Sequence, residues 1–229
     1  MRVLYMGTPD FAATVLERLY KEGHDICGVI SQPDKPKNRG MHFEPTPVKK
    51  CALEYGLSVY QPETLRNEAI LPLLNELEPE IIVVVAYGKL LPEYVLSFPK
   101  YGCVNMHASL LPKYRGAAPI QWSILNGEKE TGVTSMYMEK GLDTGDMILK
   151  STVPIEEDDT AASLHDKLAE SAASLAVETL FEIEKGTASR EKQDDSLSTY
   201  APLLTKELGK ILWEESNEFI HQTKGIFVE

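Results

Sequence analysis

Two polar side chains that can stabilise negative charge stand two residues apart, at the end of a strand predicted at Gly102 to Met106. Asn105 and His107 share one face if that strand continues far enough, because strand side chains alternate between faces. An amide donor beside an imidazole donor is the arrangement that a developing oxyanion requires. One such donor typically lowers the barrier by about 3 kcal/mol.

A carboxylate partner for the imidazole is present further along the chain. Asp143 lies in the glycine-flanked turn Gly141 to Asp146, where its charge would favour the protonated form of a nearby histidine. The same residue types also fit a structural histidine and a turn-forming aspartate. The residues alone leave both interpretations open.

Strands and helices alternate along the sequence, which is typical of a layered α/β domain. The predicted strands are Arg2 to Met6, Asp25 to Ile30, Leu57 to Tyr60, Glu80 to Ala86 and Gly102 to Met106, followed by a pair at Gly132 to Met138 and Met147 to Val153. The predicted helices are Phe11 to Leu19, Val48 to Tyr55, about Leu65 to Leu77, Pro92 to Ser97 and Thr160 to Lys185.

The run EIIVVVA at residues 80–86 is apolar and β-branched, so it suits a strand buried on both faces of a parallel sheet. We therefore predict an α/β fold with a doubly wound, mostly parallel sheet and flanking helices. Ligands of such sheets bind beyond the carboxyl ends of the strands, where Asn105 and His107 are expected.

Two stretches lack the period of a helix or a strand. Gln32 to Pro47 is rich in proline and lysine and is predicted to be a long loop, and long loops in compact domains tend to be functional. Beyond Thr187 the sequence turns polar. We place a compact domain at residues 1–188 and expect 189–229 to form a linker and the start of a further region.

The composition is that of an ordinary globular protein, with 43% hydrophobic and 25% charged residues among 229. No apolar run approaches the ~20 residues that cross a bilayer, and the N-terminus lacks a secretory signal, so we predict a cytoplasmic protein with no membrane partner. Cys27, Cys51 and Cys103 are widely separated, which predicts reduced structural thiols and no metal site.

The net charge of −12 is unevenly distributed. Residues 151–229 hold 7 basic and 17 acidic groups, whereas residues 1–50 hold 8 basic and 6 acidic ones. An acidic total argues against non-specific nucleic-acid binding, which needs lysine and arginine over a broad face. Any nucleic-acid partner must therefore be held locally.

The stretch NMHASLLPKYRGAAP at residues 105–119 resembles the signature of the folate-dependent formyltransferases, in which an asparagine, a histidine and a later aspartate carry formyl transfer. Enzymes acting on glycinamide, sugar and aminoacyl-tRNA acceptors share that signature. Three further motifs are similar specifically to the methionyl-tRNA formyltransferases: MGTPDF at 6–11, QPDKP at 32–36 with Arg39 and Gly40, and TYAPLLTKE at 199–207. The resemblance runs over roughly residues 1–213 and implies a Rossmann-like formyltransferase fold.

The resemblance also implies which residues form the site. It makes Asn105, His107 and Asp143 the catalytic set. It places a folate against Ser109, Leu110, Leu111, Pro112, Lys89, Leu90, Leu91 and Leu142, although the leucines fit plain core packing equally well. It directs Phe11 and Arg39 toward the methionyl end of a tRNA. The implied co-substrate is 10-formyltetrahydrofolate and the implied acceptor is initiator methionyl-tRNA, with no metal and a monomeric protein.

Other functions remain open at this point. An amino sugar nucleotide is a second possible acceptor, and a folate-binding remnant without activity is a third interpretation. Family members continue past TYAPLLTKE into a C-terminal domain that helps to bind tRNA, so we expect residues 189–229 to be a linker and the truncated start of that region, with weakened tRNA binding. A dinucleotide enzyme is disfavoured because MGTPDF lacks the second and third glycines of that fingerprint.

Overall fold

The computed structural model describes residues 1–37, 42–209, 222–223 and 225–226. Its strands are β1 (Arg2–Gly7), β2 (Asp25–Ile30), β3 (Lys35–Lys37), β4 (His42–Glu44), β5 (Val59–Tyr60), β6 (Ile81–Val85), β7 (Cys103–His107), β8 (Arg115–Gly116), β9 (Glu130–Tyr137), β10 (Met147–Pro154) and β11 (Tyr200–Ala201). Its helices are α1 (Asp10–Lys21), α2 (Pro47–Glu54), α3 (Leu71–Leu77), α4 (Glu93–Leu96), α5 (Pro119–Leu125) and α6 (Ala161–Lys185), with short 3₁₀ helices at Asp195–Leu197 and Lys206–Gly209.

Seven strands form one sheet in the order β10, β9, β7, β6, β1, β2, β5. The five strands from β5 to β7 run parallel, and β9 and β10 extend the sheet beyond β7 in antiparallel pairs. The chain runs outward from β1 to β2 and β5, then crosses back to β6 on the other side of β1. This confirms the predicted α/β fold and places the reversal of strand order between β1 and β6, where such sheets bind ligands.

Helices cover both faces of the sheet. Tyr5 and Val83 belong to a buried cluster that includes residues of α1, α2, α5 and α6. Ile82 belongs to a cluster on the other face, with residues of α3 and α4. The two clusters alternate along each central strand, as burial of a strand on both sides requires.

Several elements differ from the sequence-based expectation. Helix α3 begins at Leu71 rather than near Leu65, because Asn67 and Glu68 have φ angles of 54° and 56°, which a right-handed helix does not contain. Helix α5 is an additional element that the expectation lacks. The stretch Gln32–Pro47 holds the antiparallel pair β3 and β4, whose three-residue strands are too short to leave an alternating pattern.

The longest helix, α6, has a defined signal at each end. Thr160 and Ser163 form a capping box, in which Ser163 N donates to Thr160 Oγ1 at 3.2 Å and Thr160 N donates to Ser163 Oγ at 3.0 Å. Gly186 ends the helix with a φ of 73°. Among the residues that the structure describes, no helix combines the length and the apolar character needed to cross a membrane.

Replacement of Ile82 by alanine tests the assignment of β6 to the core. The Ile82 side chain is fully buried, so Ile82→Ala should lower the free energy of unfolding by about 2–5 kcal/mol. Urea denaturation followed by circular dichroism measures this change. Leu53→Ala, at a side chain 57% exposed on α2, is the control and should cost less than ~0.5 kcal/mol. Equal losses at both positions would contradict the assignment.

The cysteines are three free thiols in protected environments. Burial raises the pKa of Cys51 to about 11 and the pKa of Cys103 to about 12. Burial also raises the pKa of Cys27, whose Sγ donates to the Val3 carbonyl at 3.3 Å. The reactive thiolate form is therefore scarce at neutral pH.

We expect all three thiols to react slowly with iodoacetamide at pH 8 in the folded protein. The pKa of Cys51, at about 11, lies above that pH, so only about one Cys51 side chain in a thousand is ionised. Labelling should become rapid after denaturation in urea, and mass spectrometry counts the modified residues. Stoichiometric labelling of Cys103 under native conditions would contradict its burial.

Candidate active site

Strand β7 presents Asn105 and His107 on one face at its carboxyl end. The strand continues through His107, which pairs with Thr134 of β9. Asn105 and His107 therefore belong to one strand and share a face, as expected if the strand extended that far. The intervening residues, Val104 and Met106, point to the other face and pack in the cluster that includes α5 and α6. Asn105 and His107 therefore face the opposite side of the sheet, next to the loops that follow β7 and β9.

The Asn105 side chain is half-buried beside its neighbours in β6 and β9. In the described parts of the chain, no group hydrogen-bonds its amide. An amide N–H pair in this position can donate to a ligand without breaking a protein hydrogen bond. Asn105 therefore has the donor that an oxyanion site needs.

His107 is 6% exposed and is fixed by one hydrogen bond. Its Nε2 lies 2.8 Å from the carbonyl oxygen of Tyr114. Because a carbonyl only accepts, Nε2 carries the proton and donates. The second nitrogen, Nδ1, lies 3.7 Å from Asp143 Oδ2, which is too long for a direct hydrogen bond and close enough to attract a protonated ring.

Asp143 reaches this position through an unusual backbone conformation. Its φ angle is 52°, in the left-handed region, and its Oδ2 accepts from the Gly116 N–H at 2.9 Å. Gly116 has a φ of 118°, and a Cβ there would lie 2.8 Å from the Ala201 carbonyl oxygen. Glycine is therefore required at the residue that anchors the carboxylate.

The segment Ser109–Pro112 is held by internal hydrogen bonds. The Ser109 hydroxyl donates to the Lys113 carbonyl at 2.7 Å, and Thr134 Oγ1 donates to the Ser109 carbonyl at 2.7 Å. Leu111 is 1% exposed, and a cis peptide bond joins it to Pro112. Ser109 and Leu111 therefore face inward, and Leu110 and Pro112 are half-buried.

The other residues expected at the folate lie in two different environments. Leu90, after β6, is 78% exposed, and Leu142, beside Asp143, is 44% exposed. Leu91 is 8% exposed and packs in the core with α3 and α4. Lys89 Nζ donates to the carbonyls of Pro62 and Glu63, at 3.3 and 2.8 Å. Only Leu90 and Leu142 among these four present large apolar surface at the carboxyl edge of the sheet.

A cavity of about 510 Å³ lies at the reversal of strand order. Its walls include Thr8 after β1 and Tyr87 after β6, with Lys35 and Lys50 at the side formed by β3 and α2. Burial raises the pKa of Tyr87 to about 12, so the phenol stays neutral. A second hollow of about 420 Å³ lies at the opposite end of β7, beside Gly102.

One side of the first cavity is fixed by a polar network. Lys49 Nζ contacts Asp34 Oδ2 at 2.5 Å and Gln61 Oε1 at 2.7 Å, and Gln61 Nε2 donates to Asp34 Oδ1 at 2.6 Å. Burial opposes ionisation of Asp34, yet these bonds lower the pKa of Asp34 on balance. The network ties the start of the QPDKP stretch to α2.

The two residues expected at a tRNA have different outcomes. Phe11 is 5% exposed, lies on the buried face of α1, and meets the His165 ring edge-on at a centroid distance of 5.5 Å. Arg39 lies outside the described residues. A contact of either residue with a nucleic acid stays a prediction.

Three supporting residues were not identified from the sequence. The Tyr114 carbonyl and the Gly116 N–H fall inside the 105–119 motif, so proximity in sequence was a usable signal. Gln193 donates to the carbonyls of Asp143 and Gly145 at 2.8 Å, from a polar stretch with no local signal. Residues beyond 188 therefore contact the site, and the position of a domain boundary stays a prediction.

Among the described residues, no group of three or more His, Cys, Asp and Glu side chains is placed to hold a metal ion.

Known proteins with similar structures share this fold. The N-formyltransferase of Helicobacter canadensis, in complex with folinic acid and dTDP-3-aminofucose, superimposes with a TM-score of 0.75 at 24% identity and covers 100% of this chain and 81% of its own. The phosphoribosylglycinamide formyltransferase of Streptococcus pneumoniae TIGR4 has a TM-score of 0.66 at 23% identity, over 79% of this chain and 98% of its own. At these identities the likeness shows the fold alone.

Sequence comparison is more specific. The family profile described as formyl transferase matches residues 1–180. The methionyl-tRNA formyltransferase of Caldanaerobacter subterraneus subsp. tengcongensis is 57% identical over 215 residues, which are 93% of this chain and 70% of that protein. The methionyl-tRNA formyltransferase of Geobacter metallireducens is 50% identical over 220 residues, 96% of this chain and 71% of that protein. The chain therefore belongs to the formyl transferase family and, within it, to the methionyl-tRNA formyltransferases.

Proposed function

We propose that this chain transfers the formyl group of 10-formyltetrahydrofolate to the α-amine of initiator methionyl-tRNA, for translation initiation. The observation that carries the proposal is the meeting of an unpaired amide, an imidazole and a carboxylate, from Asn105, His107 and Asp143, at one edge of the sheet. Relatives at 50–57% identity carry the name of this activity. Each of the three groups has a role in acyl transfer that requires no covalent intermediate.

The oxyanion is the charge that the site must stabilise. 10-Formyltetrahydrofolate supplies an activated formyl carbon, and attack by the amine moves an electron pair onto the formyl oxygen. The Asn105 amide donates to that oxygen without losing a protein partner. His107 already uses Nε2 at the Tyr114 carbonyl, so its donation to the substrate requires a proton on Nδ1. The carboxylate of Asp143 lies 3.7 Å from that nitrogen.

Protons must also move. The attacking amine loses one proton as the new C–N bond forms, and the folate nitrogen gains one as its bond to the formyl carbon breaks. Asp143 accepts the first proton and passes it, through water, to the departing folate nitrogen, so the carboxylate ends the reaction in its starting state. Holding two large substrates in register supplies a further share of the rate.

Residues around the three polar groups fit a folate. The exposed apolar surfaces of Leu90 and Leu142 flank the edge at which Asn105 is unpaired, and a pterin and its attached ring need such contacts. The rigid segment Ser109–Pro112 forms the adjoining wall. The solved neighbour that holds folinic acid has the same fold.

The cavity at the reversal of strand order fits the acceptor end of the tRNA. It lies along the same edge of the sheet, and its lining holds two basic groups, Lys35 and Lys50, that can contact phosphate, beside the two carboxylates Asp10 and Glu44. We propose residues 1–188 as the catalytic domain and 189–229 as a linker and the start of a tRNA-binding region, with Gln193 and β11 of that stretch packed against the catalytic domain. In this proposal the protein acts as a cytoplasmic monomer.

Removal of the two oxyanion donors should abolish most of the activity. Asn105→Ala and His107→Ala are each expected to lower kcat for formyl transfer by about 10²–10³. Each removes a hydrogen-bond donor that stabilises the negative charge of the transition state. Transfer of a radiolabelled formyl group to methionyl-tRNA measures the rate. Asn75→Ala, at an exposed site on α3, and His24→Ala, before β2, are the matched controls and should retain wild-type rates. Rates near those of the controls would remove Asn105 and His107 from the mechanism.

The acceptor can be identified by direct competition. Methionyl-tRNA, dTDP-3-aminofucose and water are offered together with the formyl donor, and the formylated products are separated and counted. We expect formyl-methionyl-tRNA to dominate. Raising salt from ~50 to ~200 mM should raise the KM for methionyl-tRNA several-fold, because phosphate contacts release counterions. Preferred formylation of the amino sugar, or folate binding without turnover on any acceptor, would support the alternative functions.

A further inference from the structure

Gln193 is a half-buried residue inside an exposed, polar stretch that follows helix α6. Its Oε1 accepts from Arg115 Nε at 3.0 Å and from Arg115 Nη2 at 2.8 Å. Its Nε2 donates to the carbonyls of Asp143 and Gly145, both at 2.8 Å. A carboxamide has two acceptor positions and two N–H donors, so its full hydrogen-bonding capacity is used.

These four bonds join the two loops that carry the candidate site. Arg115 stands between Tyr114, whose carbonyl accepts from His107, and Gly116, whose N–H donates to Asp143. Each loop contains a residue with positive φ, 61° at Tyr114 and 52° at Asp143. Such conformations persist only where neighbouring groups hold them in place. Gln193 holds both loops, because it bonds Arg115 in one and the carbonyl of Asp143 in the other.

We infer that Gln193 is a positioning residue for formyl transfer, an inference that rests on the function proposed above. By fixing the backbone of Asp143, Gln193 keeps the carboxylate 3.7 Å from His107 Nδ1 and within reach of the Gly116 N–H. It acts through Asp143 and does not itself touch the substrate. The family profile ends at residue 180, so this support for the site lies beyond the matched region.

The segment that carries Gln193 is attached by other contacts as well. Strand β11 pairs with β8, and Tyr114 N donates to Thr199 Oγ1 at 2.8 Å. Met147 and Glu191 exchange backbone hydrogen bonds at 2.8 and 3.0 Å. Removing the Gln193 amide should therefore leave the segment in place while it releases the turn at Asp143. This separates positioning from folding.

Amide hydrogen exchange tests the inference without reference to activity. Gly116 N–H donates to Asp143 Oδ2 at 2.9 Å, whereas Ala117 N–H donates to the Ala201 carbonyl at 2.9 Å. Gln193→Met keeps the length of the side chain and removes its hydrogen bonds. We expect Gly116 to exchange at least about tenfold faster in this variant, with Ala117 unchanged. Unchanged exchange at Gly116 would overturn the inference.

The control variant is Asp195→Ala. Asp195 is an exposed partner of the same Arg115 guanidinium, at 2.8 Å, and within the described part of the chain no hydrogen bond or ion pair joins its side chain to the turn at Asp143. We expect wild-type exchange at Gly116 and wild-type transfer rates in Asp195→Ala. Faster exchange in both variants would assign the effect to Arg115 alone and defeat the role of Gln193.

Kinetics of the full chain supply the second test. Gln193→Met should lower kcat by about 10- to 100-fold, because a small displacement of a reacting group reduces the rate by such a factor. The KM values for the formyl donor and for methionyl-tRNA should stay within about threefold of wild type. In a double-mutant cycle with Asp143→Asn, the second substitution should add less than about threefold, since both act through one carboxylate. Full additivity, or an active Gln193→Met, would overturn the inference.

A wild-type chain without transfer would defeat the proposed function, and the exchange measurement would then decide alone whether Gln193 holds Asp143.

Discussion

The hydrogen bond from the Gly116 N–H to the Asp143 carboxylate is the contact on which the site depends. It joins β8, which follows the strand that carries His107, to the turn after β9. Within the described residues, that turn carries the only charge that forms an ion-pair contact with His107. Gly116 makes this approach possible because any larger residue would collide with the Ala201 backbone. The left-handed conformation of Asp143 completes it, since Asp is among the few residues that adopt that conformation at modest cost.

The sheet determines where this contact lies. Parallel strands deliver their carboxyl ends to one edge, so the loops after β1, β6 and β7 face the same side of the molecule. Helices α3 and α4 bury only the first residue of β7, Cys103, and leave Asn105 half-buried further along. The antiparallel strand β9 ends at Tyr137 beside Val104, toward the amino end of β7, and the loop that follows folds back until Asp143 lies 3.7 Å from His107. A fully parallel sheet would have required a crossover helix at this point.

Local patterns were sufficient for much of this structure. The run Asp25 to Ile30 is a strand with the bounds predicted from its apolar residues, and α1 buries the helical period of Phe11, Val15 and Leu19. A strand was also predicted at Gly102 to Met106, and the structure shifts it by one residue to Cys103–His107. Period and length are properties of neighbouring residues, so sequence alone can report them.

Contacts between distant segments were not predictable in this way. Gln193 reaches Asp143 across 50 positions and Arg115 across 78, and neither separation leaves a periodic trace. The start of α3 depends on two residues with left-handed backbone conformation. Helix α5 is only seven residues long and begins with a proline, so its sequence resembles that of an ordinary loop. The chemistry of the site could be anticipated from residue types, whereas its support depends on tertiary packing.

The pairing of β11 with β8 also orders events during synthesis. The ribosome releases Asn105, His107 and Asp143 well before Tyr200 and Ala201, and at ~5–20 residues per second the interval is about 3–12 s. During that interval the nascent polypeptide has all three polar side chains of the site and lacks the strand that pairs with β8. The pairing that holds Arg115 and Gly116 against Tyr200 and Ala201 can therefore form only after elongation has passed residue 201.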